Sequence, residues 1–308
     1  MTNISVIICA YNPNQDIFVK VIESLKNQSL STKFWELIII DNNSVLPIAN
    51  WLDLSWHPNA KIVVEQQQGL IYARNRGTLE SKFEYLASVD DDTPLFSDYL
   101  ENVQMIYTEF PDLGIIGGRS FPIFEIQPPS YVNKFKTFLA IRDLGEQRIF
   151  QKLADEKVIN YPSCSPILIA PRRTCMIEYL DYFNKNEISK DLGRKGNSLA
   201  SGEDNDINLF IYKRGYTLAY FPELKFHHII QKSRLSLNYF KKMAYESNRS
   251  WVKVSELHGI NPWKKINKYS IPIRKIKAFF KHKPWQSDEQ AINYNASIGI
   301  FKGLSELE

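Results

Sequence analysis

The chain has 308 residues, of which 44% are hydrophobic and 13% aromatic. This apolar content is sufficient for a packed core and argues against a disordered chain. The formal net charge is only +4, and the basic residues form no recognisable nucleic-acid-binding motif, so we expect no nucleic-acid partner. The three cysteines, Cys9, Cys164 and Cys175, have no C-x-x-C spacing, which favours free thiols in a reducing compartment.

The sequence contains no segment typical of a membrane-spanning or secreted protein. No apolar run approaches the ~20 residues that a membrane-spanning helix needs. The N-terminus begins directly with a strand-like run and has no basic and apolar leader. We therefore expect a cytoplasmic protein, with any membrane contact peripheral and at the inner face of the cell membrane.

Strand and helix patterns alternate through the first hundred residues. Continuous apolar runs predict buried parallel strands at residues 4–10, 36–40, 61–64 and 85–89. Helical spacing of apolar residues follows the first run, and residues 72–81 also have a helical pattern. This alternation predicts an α/β fold with a mostly parallel central sheet flanked by helices, whose ligands bind beyond the carboxyl ends of the strands.

The remainder of the chain is less regular. Strands are predicted at residues 113–118, 167–170, 216–221 and 225–229, and a helix at residues 206–214. Residues 257–287 contain no acid, while Lys and Arg accumulate there. We expect residues 256–308 to form a basic helical C-terminal extension.

Three adjacent carboxylates, Asp90, Asp91 and Asp92, follow the fourth predicted strand. Neighbouring carboxylates repel one another, so an ordered chain keeps them together where a cation or water neutralises them. Hard oxygen ligands suit Mg²⁺ or Mn²⁺, which usually keep open positions for substrate phosphates. The alternative is a solvated acidic turn.

Several motifs together resemble those of a known family. In order, they are SVIICAYN, LIIIDNNS, GLIYARNRG, SVDDDT, LGRKGNSLASGEDNDI, KRGYTLAYFPELKFHHI and SRLSLNYFKKMAYESNRSW. Between about Ser5 and Trp251 the chain resembles family 2 glycosyltransferases of GT-A fold, of the bacterial type that builds cell-envelope polysaccharides. The resemblance implies a GT-A domain over residues 1–255, with a nucleotide-sugar-binding half at 1–93 and an acceptor half at 94–255.

The resemblance also implies an activity. A family 2 enzyme of this type would transfer a hexosyl-type sugar from a nucleotide sugar, here a UDP-sugar, with inversion at the anomeric carbon. The acceptor would be a hydroxyl of a growing cell-surface glycan or of a lipid-linked saccharide. The cofactor would be Mn²⁺ or Mg²⁺, acting as a Lewis acid on the leaving diphosphate.

The acidic run would form the metal site by this resemblance. Asp90 and Asp92 form a D-x-D pair, in which Asp92 would bind the metal directly. Asp90 or Asp91 would assist through water or the ribose. A histidine of the family ligates the metal or contacts the diphosphate, and His227 matches its position better than His228 does. The alternative for such a strand histidine is a buried structural residue.

Other residues would hold the nucleotide by the same resemblance. Asp41 would accept a hydrogen bond from uracil, and Arg74 would contact the base or the diphosphate. Tyr11 and Asn12 would lie beside the nucleotide, and Arg234 would lie near the diphosphate. The alternatives are a helix cap for Asp41, a surface salt bridge for Arg74, a turn-forming role for Asn12 and a solvated charge for Arg234.

The catalytic base is expected in the SGEDND segment. Relatives place the base in this acid pair, usually at its second residue, so we expect Asp204 to be the base, with Glu203 as the next candidate. A positioned base contributes about 10²–10⁴-fold to the rate. The alternative is that these acids cap a helix N-terminus, which could apply to Asp206 or Glu203 while Asp204 remains catalytic.

Two further segments concern the acceptor and the membrane. Residues 163–166, ahead of Arg172 and Arg173, depart from the family pattern on the acceptor side, so the acceptor's identity does not follow from the resemblance. In the basic tail, residues 264–285 include an amphipathic helical pattern that could lie on anionic lipid. The alternative is a terminal helix that packs its apolar side on the catalytic domain.

Two other classes of protein compete with this interpretation. A nucleotidyltransferase would normally carry a Gly-rich loop with a basic residue after the first strand, where this chain has AYNPNQD. A non-catalytic nucleotide-sugar-binding protein would be expected to lose the base, whereas Glu203 and Asp204 are both present.

Overall fold

The computed structural model describes residues 3–153, 161–164, 168–194, 196 and 198–307. The elements are, in chain order, β1 (Ile4–Ala10), α1 (Gln15–Lys26), β2 (Trp35–Asp41), β3 (Ala60–Val64), α2 (Leu70–Glu80), β4 (Tyr85–Asp90), α3 (Tyr99–Glu109), β5 (Leu113–Phe124), α4 (Tyr131–Lys134), β6 (Ile149–Gln151), β7 (Ala170–Pro171), α5 (Arg173–Lys185), α6 (Glu187–Lys190), α7 (Glu203–Lys213), β8 (Thr217–Ile230), α8 (Leu237–Leu257), α9 (Ile271–His282) and α10 (Asp288–Glu306).

The N-terminal half contains a parallel sheet in the order β3-β2-β1-β4. All four predicted strands are confirmed, with ends that differ by no more than one residue. The strands are apolar throughout because helices cover both faces of the sheet. From β1, Val6 and Ile8 pack into the core beneath α1 and α3, while Ile7 packs into the core beneath α2, α5 and α7.

A second sheet, in the order β6-β8-β5-β7, continues the first. Its long strands β5 and β8 are parallel. The two sheets meet where the Ser88 amide of β4 donates to the Ile169 carbonyl at 3.0 Å, directly before β7. The predicted fold class is therefore confirmed: a mixed α/β molecule with a mostly parallel central sheet flanked by helices, as in the GT-A fold.

The prediction of two short strands at residues 216–221 and 225–229 is wrong, because β8 runs through both. The apolar pattern is interrupted at Pro222, where the register between β5 and β8 shifts. Such an irregularity tolerates a proline, which cannot donate a ladder hydrogen bond. Gly118 of β5 faces it, and a Cβ there would lie 1.8 Å from the Leu224 carbonyl oxygen.

Two other predicted strands also differ. β5 extends past residue 118 to Phe124. Of the predicted strand at 167–170, residue 167 lies outside the described residues, and Ala170 begins β7.

The C-terminal extension is helical, as expected. Its α10 packs along α8, where Gly299 and Gly303 allow close contact with the Tyr245 backbone and with Val252. The predicted boundary between residues 255 and 256 falls in the last turn of α8. In the described part of the chain, no helix is long and apolar enough to cross a bilayer.

Candidate active site

A cavity of about 440 Å³ opens at the carboxyl ends of the first sheet. Tyr11 follows β1, Asn42 follows β2, and Asp90–Asp92 end and follow β4; all of them line the cavity. Parallel strands end at the same edge of a sheet, so residues that are far apart in sequence meet there. Of the residues expected at this edge, Tyr11 and Asp90–Asp92 line the cavity, whereas Asn12 and Asp41 do not.

Asp92 forms the centre of a charged cluster on one side of the cavity. Its Oδ2 accepts a hydrogen bond of 2.8 Å from Nη1 of Arg234, and Nε2 of His228 lies 3.4 Å from the same oxygen. Burial alone would raise the pKa of Asp92, but the hydrogen bond and charge of His228, together with Arg234, hold the pKa below its ordinary value. Asp92 is therefore a stable anion in this cavity.

The two neighbouring carboxyls behave in the opposite way. Burial raises the pKa of Asp90. Burial, followed by repulsion from Asp92 and Asp90, raises the pKa of Asp91 to about 8. In both residues burial is the largest cause of the raised pKa, and it outweighs the opposing charge of Arg74 at Asp90 and of Arg234 at Asp91.

The histidine of the cluster is His228, whereas His227 was predicted. Adjacent residues of a strand point to opposite sides, and it is His228 that faces Asp92 and lines the cavity. The His227 ring instead stacks on Phe96, with ring centroids 4.7 Å apart. The assignment of His227 is corrected to His228, the neighbour that the sequence could not distinguish from it.

Arg74 joins two acids of α7 in the same cavity. Its Nη1 lies 2.6 Å from an oxygen of Glu203 and 2.6 Å from an oxygen of Asp204. Arg74 comes from α2, and the two acids occupy the first turn of α7, where carboxylates also interact favourably with the helix dipole. The predicted alternative of a salt bridge for Arg74 is thus realised, although the pair is within the cavity rather than on the surface.

The two acids differ in their surroundings. The Glu203 side chain is 5% exposed and the Asp204 side chain 41% exposed. Burial raises the pKa of Glu203 to about 7, and repulsion from Asp204 adds to this effect. The charge of Arg74, which both acids share, opposes the rise. Gly193 packs directly on Glu203, since a Cβ there would lie 2.5 Å from Oε2.

Asp204 also lines a second cavity, of about 560 Å³. Thr137, Phe138, Ala140 and Ser201 line both cavities, so the two adjoin. The far wall of the second cavity contains Trp251 of α8, and the Tyr161 ring meets the Trp251 ring edge-on at 5.1 Å. Asp204 is therefore accessible from both spaces.

Two predicted nucleotide-binding residues are engaged in backbone structure instead of lining the first cavity. The two oxygens of Asp41 accept the amides of Ser44 and Ile48, each at 2.9 Å. Asn12 adopts a positive φ of 47°, and its side-chain oxygen accepts the Val45 amide at 2.8 Å. The Asn12 contact matches the turn-forming alternative, whereas Asp41 holds the loop after β2 and caps no helix, unlike the alternative expected for it. Neither contact exhausts the acceptor capacity of these oxygens.

Among the cavity residues for which the sequence suggested no role in the site are Cys9, Asn42 and Arg194. Asn42 donates to the Glu65 and Gln67 carbonyls and accepts the Gly69 amide at 2.8 Å, which fixes the loop before α2. Its position directly after Asp41 was the available signal. Burial raises the pKa of Cys9 to about 12, so its thiol stays protonated.

The segment that departs from the family pattern is described only in part. Ser163 and Cys164 are described, and Cys164 lies against the Leu218 carbonyl at 3.4 Å. Residues 165 and 166 lie outside the described residues. Arg172 and Arg173 contact Leu113 and Ser81 rather than either cavity.

The donor set fits a hard divalent cation in its chemistry. Among the described residues, the first cavity is lined by five carboxylates, those of Asp90, Asp91, Asp92, Glu203 and Asp204. It is also lined by three guanidinium groups, those of Arg74, Arg194 and Arg234, so these eight groups carry a formal net charge of −2. In the same part of the chain, no group of three or more His, Cys, Asp or Glu side chains is arranged to hold a metal ion. An ion such as Mg²⁺ commonly takes one or two protein carboxylates and completes its shell with water and substrate phosphates.

Comparison with known families identifies the class. A model of the family "Glycosyl transferase family 2" matches residues 5–170, which is more than half of the chain. The protein belongs to glycosyl transferase family 2.

Individual relatives are distant. A protein of Sinorhizobium fredii (strain NBRC 101917 / NGR234), described as uncharacterized protein y4gI, is 29% identical over 117 residues, which are 37% of this chain and 13% of that relative. The chain thus spans a small part of the curated relative that it matches. Among solved structures, S. aureus TarS 1-349 has a TM-score of 0.54 at 13% identity, covering 98% of this chain and 89% of that one. The complex of TarS 1-349 with UDP-GlcNAc has a TM-score of 0.55 at 13% identity, covering 98% and 90%. At this identity the likeness shows the shared fold.

Proposed function

We propose that this family 2 protein is an inverting glycosyltransferase that moves a hexosyl-type sugar from a UDP-sugar to a hydroxyl of a cell-surface glycan or a lipid-linked saccharide. One observation carries the proposal. Asp204 is accessible from both adjoining cavities, one of which is lined by the acidic run and the other by an aromatic wall. A base that takes a proton from an acceptor while the donor occupies the other space needs this position.

In the proposed reaction, Asp204 accepts the proton of the acceptor hydroxyl. The acceptor oxygen forms a bond to the anomeric carbon as the bond from that carbon to the diphosphate oxygen breaks. The electron pair leaves with UDP, and the anomeric configuration inverts because the attack is direct. Glu203 has a positioning role, since it shares Arg74 with Asp204 at 2.6 Å and so fixes the guanidinium against the base.

The choice of donor is supported by the first cavity and by the TarS complex with UDP-GlcNAc. Tyr11 is half exposed and lines the cavity, where its ring offers a face to the uracil ring of the nucleotide. In the proposed complex, Arg234 and Arg194 lie beside the diphosphate, and the uracil ring of the nucleotide lies near Asn42 and the Asp41 turn. The predicted contact of Asp41 with uracil would use the remaining acceptor capacity of its carboxylate.

We further propose a role for Mn²⁺ or Mg²⁺. Asp92, with Asp90 or Asp91, would hold the ion, and His228 would orient Asp92. When bound, the ion would supply positive charge to the leaving diphosphate. The excess of carboxylates over guanidinium groups among the residues that line the cavity supports this role.

The acceptor is proposed to bind in the second cavity. Trp251 offers an apolar ring face of the kind that packs against a sugar ring, and Asn205, Ser247 and Asn248 offer hydrogen-bonding groups in the same wall. Saccharides present both kinds of surface, so the chemistry of the cavity favours a saccharide over a fully apolar acceptor.

The first experiment is thermal unfolding with UDP, GDP and a panel of nucleotide sugars, with and without Mn²⁺, on the wild type, Asp92→Ala and the exposed control Asp112→Ala. A ligand at a hundred times its Kd adds about 2.7 kcal/mol, roughly 5 °C for a domain of this size. We expect a Mn²⁺-dependent shift with UDP compounds in the wild type and the control, and none in Asp92→Ala. No shift with any nucleotide would contradict the proposal.

Turnover separates the proposal from its rivals. Release of UDP together with a glycosylated acceptor is expected, and the product's anomeric configuration reports inversion. Tight nucleotide-sugar binding without release of UDP would favour the non-catalytic binding protein, and release of pyrophosphate would favour a nucleotidyltransferase.

A further inference from the structure

The C-terminal segment combines positive charge with exposed apolar side chains. Between residues 257 and 287 the chain has no acid. The same segment contains eight basic residues: Lys264, Lys265, Lys268, Arg274, Lys275, Lys277, Lys281 and Lys283. The basic charge of this segment therefore has no counter-charge within it.

The apolar side of α9 faces solvent. Ile273, Ile276 and Phe280 are 61%, 58% and 65% exposed. Their spacing of three and four residues sets them on one side of the helix, and within α9 only Ala278 is buried. We define the basic amphipathic surface as these three residues together with Tyr269, Trp285 and the basic residues of the segment other than Arg274. The alternative of a terminal helix that packs its apolar side on the catalytic domain does not describe α9.

The orientation of α9 is fixed by α10. Nε2 of His282 lies 2.8 Å from the Ser297 hydroxyl, and the Phe279 ring meets the Tyr294 ring at 5.8 Å. The Arg274 guanidinium lies 6.0 Å from the centre of the Phe301 ring. These contacts hold α9 by one side and leave the opposite side exposed.

We propose that the basic amphipathic surface binds an anionic phospholipid bilayer, with α9 lying in the plane of the interface. Lysines and arginines are attracted to anionic headgroups, and the exposed isoleucine and aromatic side chains can enter the headgroup and acyl boundary. Tyr269 and Trp285 are of the residue types that favour that boundary. The transferase proposal is not required for this inference, because binding to lipid needs neither donor nor acceptor.

Two other occupants fit the surface less well. A nucleic acid would satisfy the basic residues but would leave the stripe of Ile273, Ile276 and Phe280 against a polar backbone. A second copy of the chain would bring two sets of like positive charges together. An anionic bilayer satisfies both the charge and the apolar stripe.

The arrangement also has a geometric consequence. α9 packs on α10, and α10 packs along α8, the helix that provides Ser247, Asn248 and Trp251 to the second cavity. Binding at α9 would therefore hold that cavity at a fixed distance from the bilayer, which suits an acceptor carried on a lipid.

The test is co-sedimentation of the full chain with vesicles of phosphatidylcholine alone and of phosphatidylcholine mixed with phosphatidylglycerol. We expect binding to the mixed vesicles only, weakened by salt. The charge variant Lys275→Glu/Lys277→Glu and the apolar variant Ile276→Ser/Phe280→Ser should each lower the partition coefficient by about tenfold or more. Matched controls at exposed positions, Lys20→Glu and Val45→Ser, should bind as the wild type does.

Thermal unfolding of each variant checks that the fold is retained, since all four mutated residues are exposed. Equal binding to both vesicle types, or binding that neither double variant weakens, would overturn the proposal. So would a dimer in solution that the apolar variant dissociates, or binding to duplex DNA in place of vesicles.

Discussion

At the scale of single residues, the two acids of the SGEDND segment have similar chemistry but different surroundings. Asp204 is partly exposed between two cavities, whereas Glu203 is buried against Arg74 and Gly193. Accessibility to an acceptor hydroxyl therefore distinguishes them. The sequence could identify the pair, but the choice between its members depends on how α7 is oriented by the rest of the fold.

For Asp204→Asn we expect turnover to fall by about 10²–10⁴-fold with little change in UDP affinity, because the amide cannot accept the acceptor's proton. Single-turnover assays and UDP titration measure the two quantities. Asp191→Asn, at an exposed position, should retain full activity. Full activity in Asp204→Asn with a large loss in Glu203→Gln would assign the base to Glu203 instead.

Glu203 should also make stability depend on pH. Its pKa rises from an ordinary 4.5 to about 7 in the folded chain, so the folded state binds a proton more tightly than the unfolded state does. The stabilising contribution of this proton is complete below about pH 4.5 and is lost as the pH rises to about 7.

In Glu203→Gln that loss should be absent. As the pH rises across the same window, the free energy of unfolding of the wild type should therefore fall relative to that of the variant. Denaturant titrations at several pH values measure it. The exposed Glu187→Gln should follow the wild type, and parallel curves for wild type and Glu203→Gln would contradict the raised pKa.

At the scale of elements, a buried hydrogen-bonded group ties α7 to its neighbours. Oδ1 of Asp206 lies 2.7 Å from Nε2 of His258 at the end of α8, and Oδ2 accepts the Tyr179 hydroxyl of α5 at 2.8 Å. Asp206 is fully buried. The first turn of α7, and with it Asp204, is thereby held between two other helices.

His258→Ala should lower the free energy of unfolding by about 2–3 kcal/mol, because it leaves a buried carboxylate oxygen without its partner. We also expect turnover to fall while UDP affinity is kept, since Asp204 loses its support. Chemical denaturation and steady-state kinetics give both readings. His282→Ala, which removes a half-buried histidine of α9, should cost less than about 1 kcal/mol; an equal cost in both variants would contradict a special role for the Asp206 contact.

Local sequence patterns predicted the strands and helices well where the pattern alone determines the structure. The apolar runs of β1 and β2 are buried on both faces, and the sequence alone marks them. β8 was divided because Pro222 interrupts the run, whereas the long strand depends on Gly118 of a distant strand. His227 and His228 could not be separated for the same reason, since the side that each faces depends on the register past that irregularity.

At the scale of the whole molecule, the sequence predicted which residues gather but not what each touches. Asp90–Asp92, Arg74 and Glu203–Asp204 line one cavity because the end of β4, α2 and the first turn of α7 meet there. Asp41 instead caps a turn at Ser44 and Ile48. Helical periodicity likewise indicated that α9 is amphipathic, while its solvent-facing apolar side follows from how α10 holds it.

The close packing of α10 on α8 offers a test of how the extension is joined to the catalytic part. Gly299→Ala would by helix propensity alone be stabilising by about 0.5–1 kcal/mol. However, a Cβ at Gly299 would lie 2.1 Å from the Tyr245 carbonyl oxygen, so the helices must move apart. We expect a net loss of about 1–3 kcal/mol, measured by chemical denaturation. Ser305→Ala, on the same helix and without added volume, should be nearly neutral. If Gly299→Ala were as stable as the wild type, α10 would have to be free to shift on α8, and α9 would no longer be held in a fixed orientation relative to the second cavity.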